Sequence, residues 1–165
     1  MVERLIASDG RDLDLWRTRA QGEPKGSVLL LHGIQSHAGW YGATRDALAQ
    51  AGWEVGFLDR RGSGRQTEGR GDAPSWQQLV SDIGVALECL PNRPRILVGI
   101  SWGAKTALAA AHAHPELVDG LVLLAPGLCP LVTLPLAKRL QILFTRLWSP
   151  KALRSEEHTS ELQSP

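Results

Sequence analysis

The chain has 165 residues, 43% hydrophobic and 21% charged, with a formal net charge of +1. That length supports one domain with a buried core, and the composition is that of an ordinary globular protein. The near-neutral balance, with no basic run interleaved with aromatics, lacks the footprint of a nucleic-acid binder. No apolar stretch reaches transmembrane length. Cys89 and Cys129 sit in apolar surroundings without metal-ligand spacing. They read as buried free thiols, which points to a reducing, cytoplasmic compartment.

Taken in order, the chain opens with Leu5, Ile6 and Ala7, then Leu13 to Trp16, on either side of Asp9-Gly10. This is a hairpin signal and predicts an antiparallel pair at a sheet edge, where a signal peptide would otherwise stand. Gln21 to Gly26 reads as a loop. Ser27 to Leu31 is continuously apolar, as expected of a strand buried on both faces, and it runs into His32-Gly33-Ile34-Gln35-Ser36-His37. Trp40 to Ala51 reads as a helix closed by Gly52. Glu54 to Leu58 is the next strand. It ends in Asp59-Arg60-Arg61-Gly62-Ser63-Gly64, and a polar loop continues to Ala73.

Ser75 is a predicted N-cap. Trp76, Leu79, Val80, Ile83 and Leu87 follow at helical spacing as one core-facing stripe. Ile96, Leu97 and Val98 form a further buried strand. A helix rich in alanine then carries His112 and His114 near its C-terminus, where imidazolium complements the helix dipole. Gly120 to Ala125 is the sixth strand. Leu134 to Trp148 reads as an amphipathic helix, with Lys138, Arg139 and Arg146 among its leucines. Alternating strands and helices predict an α/β fold, a mostly parallel sheet with helices on both faces.

Between the fifth strand and its helix stands Gly99-Ile100-Ser101-Trp102-Gly103. The G-x-S-x-G spacing places a serine at a sharp strand-to-helix corner with its hydroxyl clear of the sheet. The flanking glycines lack the Cβ that would crowd that corner. The helix N-terminus directs positive partial charge at an anion formed beside Ser101.

This elbow, His32-Gly33 after an earlier strand and Asp59-x-Arg61-Gly62-x-Gly64 after the next together resemble the α/β-hydrolase superfamily. The stretch His32 to Tyr41 is most similar to the monoacylglycerol lipase and serine aminopeptidase branch. The resemblance covers residues 1 to about 130. It implies that Ser101 is the nucleophile of an acyl-enzyme. Its oxyanion would be held by the backbone N–H groups of Ile34 and Trp102, whose side chains are then available to line an acyl pocket. His32 would be a structural histidine shaping the oxyanion loop, not the base. Asp59 and Arg61 would tether the loop after the fourth strand, and Asp59 is out of order as a triad acid. Arg60, Arg65 and Arg70 read as a solvated face. His37 reads equally as a pocket wall or a solvent-facing loop residue. The implied activity is hydrolysis of a small-molecule ester, lysophospholipase- or monoacylglycerol lipase-like, with no metal and no organic cofactor. Acyl transfer, peptidase activity and a non-catalytic binding protein of the same fold are the alternatives. Haloalkane dehalogenase and epoxide hydrolase chemistry would need a carboxylate where Ser101 stands.

The sequence departs from the family pattern in places. Ala104 replaces the glycine usual after Gly103, and Gly64-Arg65-Gln66 lacks the usual serine. The triad acid and histidine should follow Ser101, yet residues 126–153 contain no Asp, Glu or His. Residues 154–165 resemble the in-frame translation of a sequencing adapter, so His158 is set aside. The expected organisation is therefore the front part of a hydrolase core over 1–133, the start of a cap or connecting helix over 134–153, and a non-native tail over 154–165. The expected fold is partial, reaching its sixth strand without the last ones, and the polypeptide by itself is expected to be nearly inert.

Overall fold

The computed structural model describes residues 1–66, 69–128, 135–137, 140, 143 and 144. The chain divides into two units, 1–128 and 129–165. In the second unit the described residues 136, 137, 140, 143 and 144 have helical backbone, and Leu136, Leu140, Leu143 and Phe144 are exposed. Cys129, most of the helix expected over 134–148 and the tail from 154 lie outside the described residues.

The first unit begins with β1 (Val2–Ile6) and β2 (Asp12–Thr18), antiparallel partners with Leu5 opposite Leu13. Gly10 turns the hairpin at φ 81, a backbone geometry that costs glycine little. β3 (Ser27–Leu31) is buried at every residue. After a 3₁₀ turn over Ala38–Tyr41 comes α1 (Gly42–Gln50), then β4 (Glu54–Leu58). α1 thus starts two residues later than Trp40. His37 caps the 3₁₀ turn by accepting from Gly39 N–H, and Trp40 is left 63% exposed. α2 (Trp76–Glu88) is capped by Ser75, whose hydroxyl accepts from Gln78 N–H at 3.1 Å. β5 (Arg95–Ile100), α3 (Trp102–Ala113) and β6 (Gly120–Leu124) complete the unit.

The six strands lie in the order β1-β2-β4-β3-β5-β6. β3 pairs in parallel with both β4 and β5, and β5 with β6. The order follows from the sequence pattern. β3 is apolar on both faces, so it needs cover on both. Leu29 and Leu31 join the core that includes Val80, Ile83 and Leu87 of α2 and Ala107 and Ala110 of α3. Val28 and Leu30 join the opposite core with Ala49, Phe57 and Val98. Each fully buried leucine contributes about 1.5–3 kcal/mol relative to exposure.

The chain passes from β3 to β4 on one side and returns to β5 on the other. The crevice at the C-terminal ends of these strands is where such sheets place ligands. The loops after β3, β4 and β5 carry His32-Gly33, Asp59 to Gly64 and Ser101. Two expectations are corrected. Trp76 is 42% exposed rather than a core residue, because it heads α2 and meets Trp102 edge-on with ring centroids 6.0 Å apart. Cys89 is free but only half-buried, since it is the C-cap of α2. Among the described residues no helix is long and apolar enough to cross a membrane.

Candidate active site

Ser101 stands between β5 and α3 at φ 54, ψ −114, a region costly for a residue with a Cβ. The surroundings hold it there. Its N–H donates to Leu124 O at 2.9 Å, and its carbonyl accepts from Ala104 N–H at 3.1 Å. The hydroxyl makes no capping bond to α3, and the residue is exposed.

The two flanking glycines explain why the corner closes. A Cβ on Gly99 would lie 2.6 Å from Ala104 Cα and 2.7 Å from Ala107 Cβ. One on Gly103 would lie 2.6 Å from the carbonyl oxygens of both Leu31 and His32. α3 therefore rests directly on the backbone of β3 and β5. Ala104 fits at 0% exposure, so the departure at that position is accommodated.

Gly33 faces Ser101 across the crevice: a Cβ there would sit 3.6 Å from Ser101 Cβ and 4.0 Å from Oγ. His32 fixes the loop beyond it. Arg60 N–H donates to His32 Nε2 at 3.0 Å, so Nε2 is the acceptor. Nδ1 then carries the proton and donates to Gly33 O at 2.7 Å. The ring is buried and stacked on Phe57 at 12°. Burial pushes its pKa down from 6.5 to about 4, so the neutral tautomer this pattern needs is the one present near neutral pH. In a trans peptide the carbonyl and N–H point in opposite directions. Binding the Gly33 carbonyl therefore turns the Ile34 N–H away from His32. Trp102 opens α3, so its N–H has no carbonyl partner within the helix.

Asp59 is fully buried. It accepts from Trp16 Nε1 at 2.9 Å and from Ala38 N–H at 2.7 Å, tying β2 and the 3₁₀ turn to the end of β4. Arg61 is also fully buried. It forms a two-point pair with Asp82 at 2.6 and 2.7 Å and reaches Asp9 at 2.7 Å. Its hydrogen bond to Asp82 raises the guanidinium pKa above its ordinary value. Arg61 in turn holds Asp9 down at about 2. Gln66 Oε1 accepts from Gly62 N–H at 3.0 Å, so the loop that lacks the usual serine has its own side-chain tie.

Arg60 departs from the expectation of a solvated face. Its guanidinium lies over the Trp102 ring, 4.5 Å from the centroid, and Nη2 donates to Ile34 O at 2.9 Å. Such stacking contributes about 0.5–2 kcal/mol. Sequence reasoning missed this because no periodicity marks a loop cation that stacks on an indole 42 residues away. Arg70 also has a structural contact, donating to Gly64 O at 2.8 Å. Arg65 is exposed. His114 is the C-cap of α3, its backbone N–H donating to Ala110 O at 2.8 Å, and its ring lies beside Gly84, while His112 is in the last turn. Below the corner, Leu31, Leu58, Leu79, Ile83, Trp102 and Thr106 line a hollow of about 20 Å³. It has room for about one water, too little for an acyl chain.

The family model for serine aminopeptidase, S33, matches residues 22–164, and the chain belongs to that family. It is 32% identical over 118 residues to a monoacylglycerol lipase of Mycolicibacterium smegmatis, covering 69% of this chain and 41% of that protein. It is 36% identical over 98 residues to epoxide hydrolase B of Mycobacterium tuberculosis, covering 58% of this chain and 27% of that one. The solved monoacylglycerol lipase of Paleococcus ferrophilus matches with a TM-score of 0.66 at 28% identity, over 82% of this chain and 52% of that one. The sheet is thus part of an α/β-hydrolase fold, and the chain spans less than half the length of the curated relatives it matches.

Proposed function

We propose that the full-length protein is a serine hydrolase of carboxylic esters, acting on a small or monoacyl ester through Ser101. The observation that carries this is Ser101 itself: an exposed serine at φ 54, facing Gly33 and at the N-terminus of α3. The similarity to monoacylglycerol lipases supports the ester class.

In this reading Ser101 Oγ attacks the acyl carbonyl and gives up its proton to a general base. The carbonyl π pair moves onto oxygen, and the oxyanion accepts from Ile34 N–H and Trp102 N–H. Collapse expels the alcohol, which takes the proton, and leaves an acyl-enzyme. Water then attacks, and the carboxylic acid departs as Ser101 Oγ recovers a proton. Because both donors are backbone amides fixed before substrate arrives, they need no reorganisation at the transition state. His32 serves this hole by orientation, and both of its ring nitrogens are already committed, so it is not the base.

The acid and histidine of the triad are expected after Ser101, and residues 126–153 supply neither. The polypeptide of 165 residues is therefore expected to be nearly inert, since an unassisted serine hydroxyl is a weak nucleophile near neutral pH. The second reading is a non-catalytic binding protein of the same fold. Epoxide hydrolysis is disfavoured by the hydroxyl at position 101. A cytoplasmic site accords with the free thiol of Cys89.

A fluorophosphonate probe on the full-length protein separates the two readings. Labelling that disappears in Ser101→Ala, with ester hydrolysis lost in parallel, is the expected result. An unlabelled full-length protein would overturn the hydrolase reading.

A further inference from the structure

We propose that Arg60 is a positioning residue of the oxyanion hole: its guanidinium braces the loop after β3 against the first turn of α3 and sets the separation of the Ile34 and Trp102 amides. This rests on the Ser101 reading above. Three contacts carry it. Arg60 N–H donates to His32 Nε2 at 3.0 Å. Nη2 donates to Ile34 O at 2.9 Å. Cζ lies 4.5 Å from the Trp102 ring centroid.

Taken together, these contacts fix Ile34 on both sides. The peptide before it is held through Gly33 O by His32 Nδ1. The peptide after it is held through Ile34 O by Arg60. The same guanidinium covers the indole of the residue bearing the second donor, and that indole is backed edge-on by Trp76. His32, Arg60 and Trp102 stand just past the ends of β3, β4 and β5, whose pairing runs to Leu31, Leu58 and Gly99, so the brace joins the three loops beyond the paired strands. Only a planar cation does both jobs, since its edge donates in plane while its face stacks. A lysine ammonium is a single strongly hydrated point and offers no face to the indole.

The test compares wild type, Arg60→Met and Arg60→Lys in the full-length protein with two readouts. The first is the NMR order parameter of the Ile34 amide, which needs no activity. The expected result is a fall from about 0.85, the rigid range, toward about 0.6 in both variants. The second is ester kinetics. A misplaced donor acts on the transition state, so kcat is expected to fall roughly ten- to hundredfold while KM stays within about twofold. An unchanged order parameter overturns the proposal whatever the activity. A raised KM at constant kcat also overturns it, because Arg60 would then be contacting substrate. Failure of the hydrolase reading looks different: wild type itself escapes fluorophosphonate labelling, and the catalytic role of Arg60 falls with it.

Discussion

At the scale of single residues, His32 joins chemistry to stability. Burial keeps its ring neutral down to about pH 4, against 6.5 for the ordinary side chain. Between those values the unfolded chain binds a proton that the folded chain refuses. Stability is therefore full above pH 6.5 and declines as the pH falls to 4, by up to about 3 kcal/mol, with no further loss from this group below 4. Urea unfolding at pH 7.5 and pH 4.5 measures the slope, and His32→Gln is expected to flatten it. The folded ring itself takes a proton only near and below about pH 4; that removes the acceptor that Arg60 N–H uses, so the loop after β3 should loosen there and not in the window above. Asp9 adds a separate, lower window: Arg61 holds its pKa at about 2, so its contribution is present above pH 3.8 and is lost between there and 2. The sequence marked His32, Asp59 and Ser101 because each sits in a motif at a strand end. It did not mark Asp82 as the partner of Arg61, or Arg60 as a stacked cation, because those pairings depend on how α2 and α3 lie over the sheet. Nothing in the local pattern of either residue encodes that.

At the scale of elements, the corner between β5 and α3 is set by close approach. A Cβ on Gly103 would meet two backbone carbonyl oxygens at 2.6 Å, and neither can rotate aside. Gly103→Ala is expected to lower the stability of the hydrolase core by about 1–3 kcal/mol through forced movement of α3. Gly42 is the control: a Cβ there meets nothing within 4 Å, and its φ of −54 is helical. Gly42→Ala should be neutral or stabilising by about 0.4–1 kcal/mol. Chemical denaturation of both variants checks the contrast. These elements were largely legible in advance. The hairpin at Asp9-Gly10, the cap at Ser75 and the buried run of β3 all stand where their signals put them. The start of α1 was not, because His37 diverts the chain into a 3₁₀ turn before the helix proper. Trp76 was misread for a related reason: a helical apolar stripe does not say which of its members lies at the exposed first turn.

At the scale of the molecule, the sheet order places β3 at the centre, and its fully apolar sequence anticipates that place. The opposite margin is less protected. Among the described residues β6 pairs only with β5, and Val122 and Leu124 are 42% and 48% exposed on it. A parallel strand with a free edge and apolar side chains invites further strand pairing. The polypeptide of 165 residues, expressed alone, is therefore expected to self-associate. Light scattering coupled to size exclusion checks this, and a monomer with a sharp, cooperative melt would count against it.

The hydrogen bond from Ser101 N–H to Leu124 O ties that margin to Ser101, the nucleophile in the proposed function. The serine's amide is already engaged by the last carbonyl of the outermost described strand, so it cannot serve as an oxyanion donor. The backbone torsion that presents the hydroxyl is thereby clamped from a strand that has a neighbour on one side only among the described residues. Fraying of β6 would relax that torsion directly, with no change to any side chain in the crevice. Hydrogen–deuterium exchange at the Ser101 amide would thus act as a gauge of how firmly the sheet margin holds that corner in its left-handed torsion.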